Sequence, residues 1–105
     1  MHIILWQYAV DPAHRAEFER TYGPQGEWAG LFRRAEGYLG TSLLREVVAT
    51  PIYLTVDRWT NAAAYRAFLA AWEPDYRALD ERSRTLTARE VRLGSIETDQ
   101  DFWSG

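Results

Sequence analysis

Hydrophobic residues occupy both faces of the first segment when it is drawn as a β-strand. The even positions include Trp6 and Tyr8, and the odd positions include Ile3 and Leu5. The segment is also rich in β-branched and aromatic residues, which favour strands. We expect a strand over residues 2–10, and because both of its faces are apolar, both need a cover in the folded protein.

Helical patterns occur at three places. An Asp-Pro pair makes Asp11 an N-cap, and the helix that it opens is expected to reach about residue 22. A Gly-Pro-Gln-Gly break follows, and a short helix is expected at about 27–35. Apolar residues at three- and four-residue spacing predict the longest helix over 61–79, with Thr60 as its cap and a kink or a division near Pro74.

Three further segments have the composition of strands, at 38–47, 52–59 and 85–97, and a polar link at 80–84 precedes the last one. The resulting order is β-α-(α)-β-β-α-β. Since crossover connections are right-handed, this order predicts an α+β fold, the ferredoxin-like βαββαβ plait, with a four-stranded antiparallel sheet and helices on one of its faces.

The other sheet face is left open and apolar by this arrangement. A large apolar surface on a small protein indicates a partner, and a second copy of the chain always carries the matching surface. We therefore expect a homodimer that forms through the sheet face. The domain is expected to span residues 1–98, and residues 99–105 form a C-terminal tail.

Composition excludes several function classes. The 105 residues suffice for one domain, and the net charge of −3 disfavours nucleic acid as a partner. The chain has no Cys, no Lys and only two His, which excludes thiolate metal sites and Schiff-base chemistry. With no Gly-rich dinucleotide loop either, we expect no bound metal, haem or flavin. No apolar run is long enough for a signal peptide or a membrane span, so a cytoplasmic protein is expected.

Aromatic residues make up 14% of the chain, more than a core of this size needs. As a set they are suited to the walls of a pocket for a flat substrate, and individually each also fits a place in the core or the dimer interface. The candidates for substrate contact are Trp6, Tyr8, Tyr22, Tyr53, Trp59, Tyr65, Phe68 and Trp72. Tyr22 and Tyr76 are also candidate donors to a substrate oxygen.

Three polar residues are the candidates for catalysis. Asp57 can act as a base if it is desolvated, and Arg58 can hold an anionic oxygen. Adjacent strand residues point to opposite faces, so only one of these two can face the pocket. His14 shares a helical stripe with Phe18 and Tyr22, which makes it a candidate proton acceptor. The alternatives are a surface ion pair for the Asp-Arg pair and an exposed first-turn position for His14.

The chain resembles the antibiotic biosynthesis monooxygenase family, within the dimeric α/β-barrel superfamily. The similar stretches are 21–44 (TYGPQGEWAGLFRRAEGYLGTSLL), 53–59 (YLTVDRW), 60–68 (TNAAAYRAF) and the closing LD…LT…E…LG of 79–94. The most specific part is 22–41, where a Gly-Pro turn and a Trp-led short helix precede Gly-Tyr-Leu-Gly-Thr.

This resemblance implies a dimeric α/β barrel and a small, cofactor-independent monooxygenase. Its substrate would be an aromatic or polyketide-like phenol or quinol, held in an apolar pocket between the sheet and the helices. Haem-degrading relatives on this fold use an axial His of the second long helix, and residues 61–79 contain no His, so haem degradation is disfavoured. The alternative is a dimer without catalytic activity that binds a small hydrophobic ligand. An ionisable side chain beside an open aromatic cavity would favour the enzyme.

Overall fold

A computed structural model of the chain describes residues 1–48 and 51–98. Four strands form one antiparallel sheet in the spatial order β2-β3-β1-β4. The strands are β1 His2–Ala9, β2 Tyr38–Arg45, β3 Ile52–Trp59 and β4 Arg89–Glu97. The predicted ferredoxin-like α+β fold is confirmed. The predicted tail, 99–105, lies outside the described residues.

Asp11 is the cap that the sequence predicts, whereas the longest helix is capped by Asn61 instead of the predicted Thr60. Asp11 accepts a 2.9 Å hydrogen bond from the amide of Ala13 at a 3-10 turn, Pro12–His14. Asn61 caps the longest helix by accepting a 2.8 Å bond from the amide of Ala64. The helices are α1 Arg15–Tyr22, α2 Glu27–Phe32 and α3 Ala62–Ser83.

Helix α3 has the expected kink but not the expected end. Trp72, two residues before Pro74, leaves the helical conformation with φ −118° and ψ 21°. The predicted polar link at 80–84 is wrong, because α3 continues to Ser83 and a 3-10 turn, Arg84–Leu86, follows it. Polar side chains on the exposed side do not stop a helix whose other side still packs: Leu79 and Ser83 are both buried. The last strand therefore begins at Arg89 instead of residue 85.

One hydrophobic core lies between the sheet and the helices. Alternate strand residues point into it, among them Ile4, Tyr53 and Trp59, and the helices contribute Phe18 and Phe68. These five side chains are at most 1% exposed. No helix of the described residues covers the opposite sheet face, so Leu44, Val91 and Ile96 are 36–48% exposed there in the single chain.

No helix within residues 1–48 and 51–98 is long and apolar enough to cross a membrane.

Candidate active site

A small cleft lies between the helix-covered face of the sheet and the helices, with about 450 Å³ of atom-free space when the open solvent at its mouth is counted. Aromatic rings form its walls, and hydroxyl and carboxyl groups face it between the rings. The strands contribute Trp6, Tyr8, Thr41, Thr55, Asp57 and Glu90, and the helices contribute Tyr22, Trp28, Phe32, Tyr76 and Asp80. A few convergent polar groups in an aromatic pocket are typical of a small-molecule site.

Asp57 is the most deeply buried carboxyl group of the cleft. It lies near the end of β3, where strand alternation turns it towards the helices, and the residue is only 8% exposed. Burial disfavours the charged form and raises the pKa of Asp57 to about 6. A carboxyl group with this pKa is mostly ionised at neutral pH and can still accept and return a proton readily.

A bulge in β2 gives Asp57 a hydrogen-bond partner, Thr41. Tyr38 pairs with Trp59 and Thr41 pairs with Asp57, so four positions of β2 oppose three of β3. Gly40 lies at this irregularity with φ 146°, a conformation that glycine adopts readily. The bulge keeps Tyr38 and Thr41 on the same face of the sheet. Their hydroxyl groups are 2.6 Å apart.

Two polar atoms of the cleft lack a hydrogen-bond partner among the described residues. They are Nε1 of Trp28 and Oγ1 of Thr55, both buried. The Tyr22 phenol interacts with Trp28 and the Tyr8 phenol with Thr55, without the geometry of a full hydrogen bond, and burial raises the pKa of each phenol above its usual value. Since buried polar groups are normally paired, these atoms indicate a place where a ligand oxygen can bind.

Acidic residues line the cleft beside Tyr76. Asp80 of α3 and Glu90 of β4 both face it. Partial burial, together with the charge of Asp80, raises the pKa of Glu90, and burial raises the pKa of the Tyr76 phenol. Asp57, Asp80 and Glu90 do not come together as a metal site: the described residues contain no group of three or more metal-ligating side chains.

Four of the candidates from the sequence line the cleft. Trp6 and Tyr8 lie on β1, Tyr22 ends α1, and Asp57 lies on β3. Tyr76, the other candidate donor to a substrate oxygen, lines it from α3. Asp57 therefore shares one cavity with three phenol groups.

The other aromatic candidates lie outside the lining of the cleft. Trp59, Phe68 and Tyr65 pack against one another, with ring centroids 5.3 Å from Trp59 to each of the other two. Tyr53 is buried, and its hydroxyl donates a 2.5 Å hydrogen bond to Glu19. Trp72 lies at the kink of α3, where the Arg34 guanidinium is 5.4 Å from its ring. These positions fit the alternative interpretation of the four residues and Trp72, in which an aromatic ring packs against other parts of the protein instead of contacting a substrate.

Arg58 and His14 also lie away from the cleft lining. Arg58 alternates with Asp57 and so points to the open sheet face, where it donates a 3.0 Å hydrogen bond to Ser42. His14 ends the 3-10 turn, before α1 begins at Arg15, and is half-buried. His14 therefore precedes the α-helix that carries Phe18 and Tyr22, and it is not among the described residues that line the cleft.

Six lining residues were not singled out as site residues from the sequence: Trp28, Phe32, Thr41, Thr55, Asp80 and Glu90. The apolar side of the short helix gave a signal for Trp28 and Phe32, but a ring at helical spacing fits a core equally well. Thr41 had no signal, because its position depends on the bulge. Glu90 had none either, because it faces the cleft only through the register of β4 against β1, in which it pairs with Tyr8.

Comparison with known proteins agrees with this architecture. A Deinococcus radiodurans protein assigned to the antibiotic biosynthesis monooxygenases superposes with a TM-score of 0.78 at 16% identity, over 100% of this chain and 99% of that one. SnoaB, a cofactor-independent oxygenase from Streptomyces nogalater, gives 0.70 at 25% identity, over 96% and 95%.

A further structure with the same fold holds a porphyrin. An MhuD mutant with two manganese protoporphyrin IX molecules bound per active site gives a TM-score of 0.73 at 20% identity, over 99% of this chain and 100% of that one. No protein of curated function matches the sequence significantly. The sequence profile named Antibiotic biosynthesis monooxygenase matches residues 1–82. With most of its length in that match and the same fold throughout, the chain belongs to the antibiotic biosynthesis monooxygenase family.

Proposed function

We propose that the protein is a cofactor-independent monooxygenase that oxidises a phenolic or quinol-like aromatic molecule in the cleft. Membership of the family supports this proposal. So does the similarity to SnoaB, which is itself a cofactor-independent oxygenase. The observation that carries the proposal is the buried Asp57, with a pKa raised to about 6, on the floor of an aromatic cavity.

Asp57 is the general base in this mechanism. An electron-rich phenol or anthrone-type substrate becomes able to reduce oxygen once it has lost a proton. The Asp57 carboxylate takes that proton, and its raised pKa favours the transfer because the proton moves to a more basic group. The aromatic walls, including Trp6 and Phe32, keep water away from the resulting anion.

The oxygen step balances without another reactant. For an anthrone-type methylene group, the enolate passes one electron to O₂, and the radical pair joins as a carbon-bound peroxide. The O–O bond then breaks, the carbon loses its second hydrogen as a proton, and water leaves with both hydrogens. The net change is CH₂ + O₂ → C=O + H₂O. Asp57 returns the first proton to the departing oxygen.

Trp28 and Thr55 position the substrate in this proposal. The indole N–H of Trp28 donates to a substrate oxygen, and the Thr55 hydroxyl pairs with a second polar group of the ring system. Both atoms are buried, and a neighbouring phenol meets each of them without good hydrogen-bond geometry, so a ligand oxygen can give them a better hydrogen bond.

The alternative, a dimer without catalytic activity that binds a hydrophobic ligand, does not account for a desolvated carboxyl group on the floor of the cleft. Haem binding would need an axial ligand. Neither His2 nor His14 is among the described residues that line the cleft, and α3 contains no His. The described residues of the cleft therefore offer no His as an axial ligand for haem.

The test is incubation of the protein with an anthrone and with a hydroquinone under ¹⁸O₂, followed by mass spectrometry. We expect an anthraquinone-type product that carries one ¹⁸O atom. The variant Asp57→Asn should lose about 10²–10⁴-fold in rate, the range found when general bases are removed. Glu36→Gln, a matched change at an exposed carboxyl outside the cleft, should retain full activity. Wild-type protein that adds no oxygen, or an Asp57→Asn variant of unchanged rate, would refute the proposal.

We also propose that two copies pair through their open sheet faces. Leu44, Val91 and Ile96 are exposed on this face in the single chain. Leu54 and Val56 point to the same side, because they alternate with the buried Tyr53, Thr55 and Asp57 along β3. Pairing removes these apolar side chains from water and leaves both clefts, on the opposite faces of the sheets, free to work.

A further inference from the structure

We infer that the cleft selects uncharged aromatic ligands and rejects those that carry a carboxylate. This inference rests on the proposed function and narrows its substrate class. It depends on the kinds of polar group that face the cleft, all of which are carboxyl, hydroxyl, phenol or indole N–H groups. None of the eleven described residues that line the cleft is an Arg or a His.

Three carboxyl groups face the same cavity. Asp57 lies on the floor, and Asp80 and Glu90 come from α3 and β4. Within the described part of the chain, neither Asp57 nor Glu90 forms an ion pair, since the carboxylates of the ion pairs are those of other residues. Negative charge inside the cleft is therefore only partly compensated.

The arginines closest to these carboxyls do not provide a cationic site. Arg84 is 3.9 Å from Asp80 and 3.4 Å from Glu81, and its side chain is 67% exposed. It weakens the field of Asp80 and Glu90 from outside, but it is not part of the lining. Arg58, the neighbour of Asp57 in sequence, donates to Ser42 on the other face of the sheet.

A ligand carboxylate would meet these charges at short range and between aromatic rings. Rings exclude water, and like charges repel more strongly where water is excluded. The anion would also lose its own hydration without gaining a cation. Ligand hydroxyl and carbonyl groups avoid both costs, because the Trp28 N–H, the Thr55 hydroxyl and the phenols can pair with them.

Aloe-emodin and rhein are a matched pair of probes for this inference. Both are dihydroxyanthraquinones, and they differ only in that the hydroxymethyl group of aloe-emodin is a carboxylate in rhein. Their affinities can be measured at neutral pH by quenching of tryptophan fluorescence, since Trp6 and Trp28 line the cleft. We expect the dissociation constant of aloe-emodin to be lower than that of rhein by about tenfold or more.

Three variants assign the difference to the cleft. Asp57→Asn and Glu90→Gln each remove one negative charge and should raise the affinity for rhein more than that for aloe-emodin. Asp57→Asn should have the larger effect, because Asp57 is buried and Glu90 is exposed to screening solvent. Glu36→Gln removes an exposed charge outside the cleft and should leave the affinity ratio unchanged.

Binding and oxygenation are measured separately, so the two proposals can fail separately. A preference for aloe-emodin that shrinks in Asp57→Asn supports the inference even if no substrate gains oxygen. Equal affinities, tighter binding of rhein, no binding of either probe, or a preference unchanged in both cleft variants would overturn it, whatever the outcome of the oxygenation assay.

Discussion

The Thr41 hydroxyl donates a 2.7 Å hydrogen bond to Oδ1 of Asp57. The bond joins the edge strand β2 to the floor of the cleft, and Tyr38 extends it by a further 2.6 Å contact with Thr41. Thr41 therefore has two effects on the carboxyl group. It fixes the orientation of Asp57, and it lowers the pKa that burial raises, because a donated hydrogen bond stabilises the carboxylate.

Thr41→Val should raise the pKa of Asp57 above about 6, because the donor is lost while the burial remains. A general base works only in its ionised form, so the acidic limb of the kcat/KM profile should move to higher pH. We expect a shift of about one unit, with activity near pH 6 reduced about fivefold and little change well above it. The measurement is the pH–rate profile.

Thr41→Ser is the matched control for this substitution. It keeps the hydroxyl and removes only a methyl group, so its profile should overlay that of the wild type. If the limb stays in place in Thr41→Val as well, the hydrogen bond has no influence on the ionisation of Asp57.

Asp57 should make the folding stability depend on pH. Its pKa rises from 3.8 to about 6 on folding, so the folded state binds more protons between these values and stability falls as the pH rises through them. Relative to Asp57→Asn, which cannot ionise, the wild type should lose up to about 3 kcal/mol across this window. Urea unfolding of both proteins between about pH 3.5 and about pH 7.5 measures the difference. If the difference in unfolding free energy between the wild type and Asp57→Asn does not change with pH, burial does not raise the pKa of Asp57.

Trp28→Phe should lower the affinity for aromatic ligands by about tenfold, because it removes the buried N–H donor and keeps an aromatic wall. The measurement is aloe-emodin affinity by isothermal calorimetry, which does not depend on tryptophan fluorescence. Trp6→Phe is the control for ring size, since Trp6 also lines the cleft and its indole nitrogen is not among the buried unpaired atoms. Equal losses in the two variants would mean that Trp28 acts only through its surface.

Leu54→Arg should convert the proposed homodimer to a monomer, because it places a charge on the open sheet face, where two apolar surfaces meet. Sedimentation velocity at micromolar concentration measures the change. Ala70→Arg, at an exposed position of α3, is the matched control and should remain a dimer. A wild type that sediments as a 12.2 kDa monomer would remove the basis of this proposal.

The fold was predictable from the sequence because its signals are local. Alternation in His2–Ala9 and Ile52–Trp59 and the stripe of α3 each depend on residues that are near in sequence. The cap at Asp11 marks a helix start for the same reason, and the cap of α3, Asn61, lies one residue after the predicted Thr60. The end of α3 was predicted wrongly because that end depends on what Leu79 and Ser83 pack against, which no local pattern contains.

The sequence by itself therefore determined the order of the elements, the sheet topology and the family, and it identified Asp57 and the aromatic set as candidates. Only the tertiary structure decided which members of the set share a cavity. Tyr8, Tyr22 and Tyr76 face one cleft, while Trp59, with the same composition signal, fills the core. The pairing of Thr41 with Asp57 likewise depends on a bulge at Gly40 and on the register of two strands. Register and packing join residues that are distant along the chain, so the chemistry of the cleft appears only after folding.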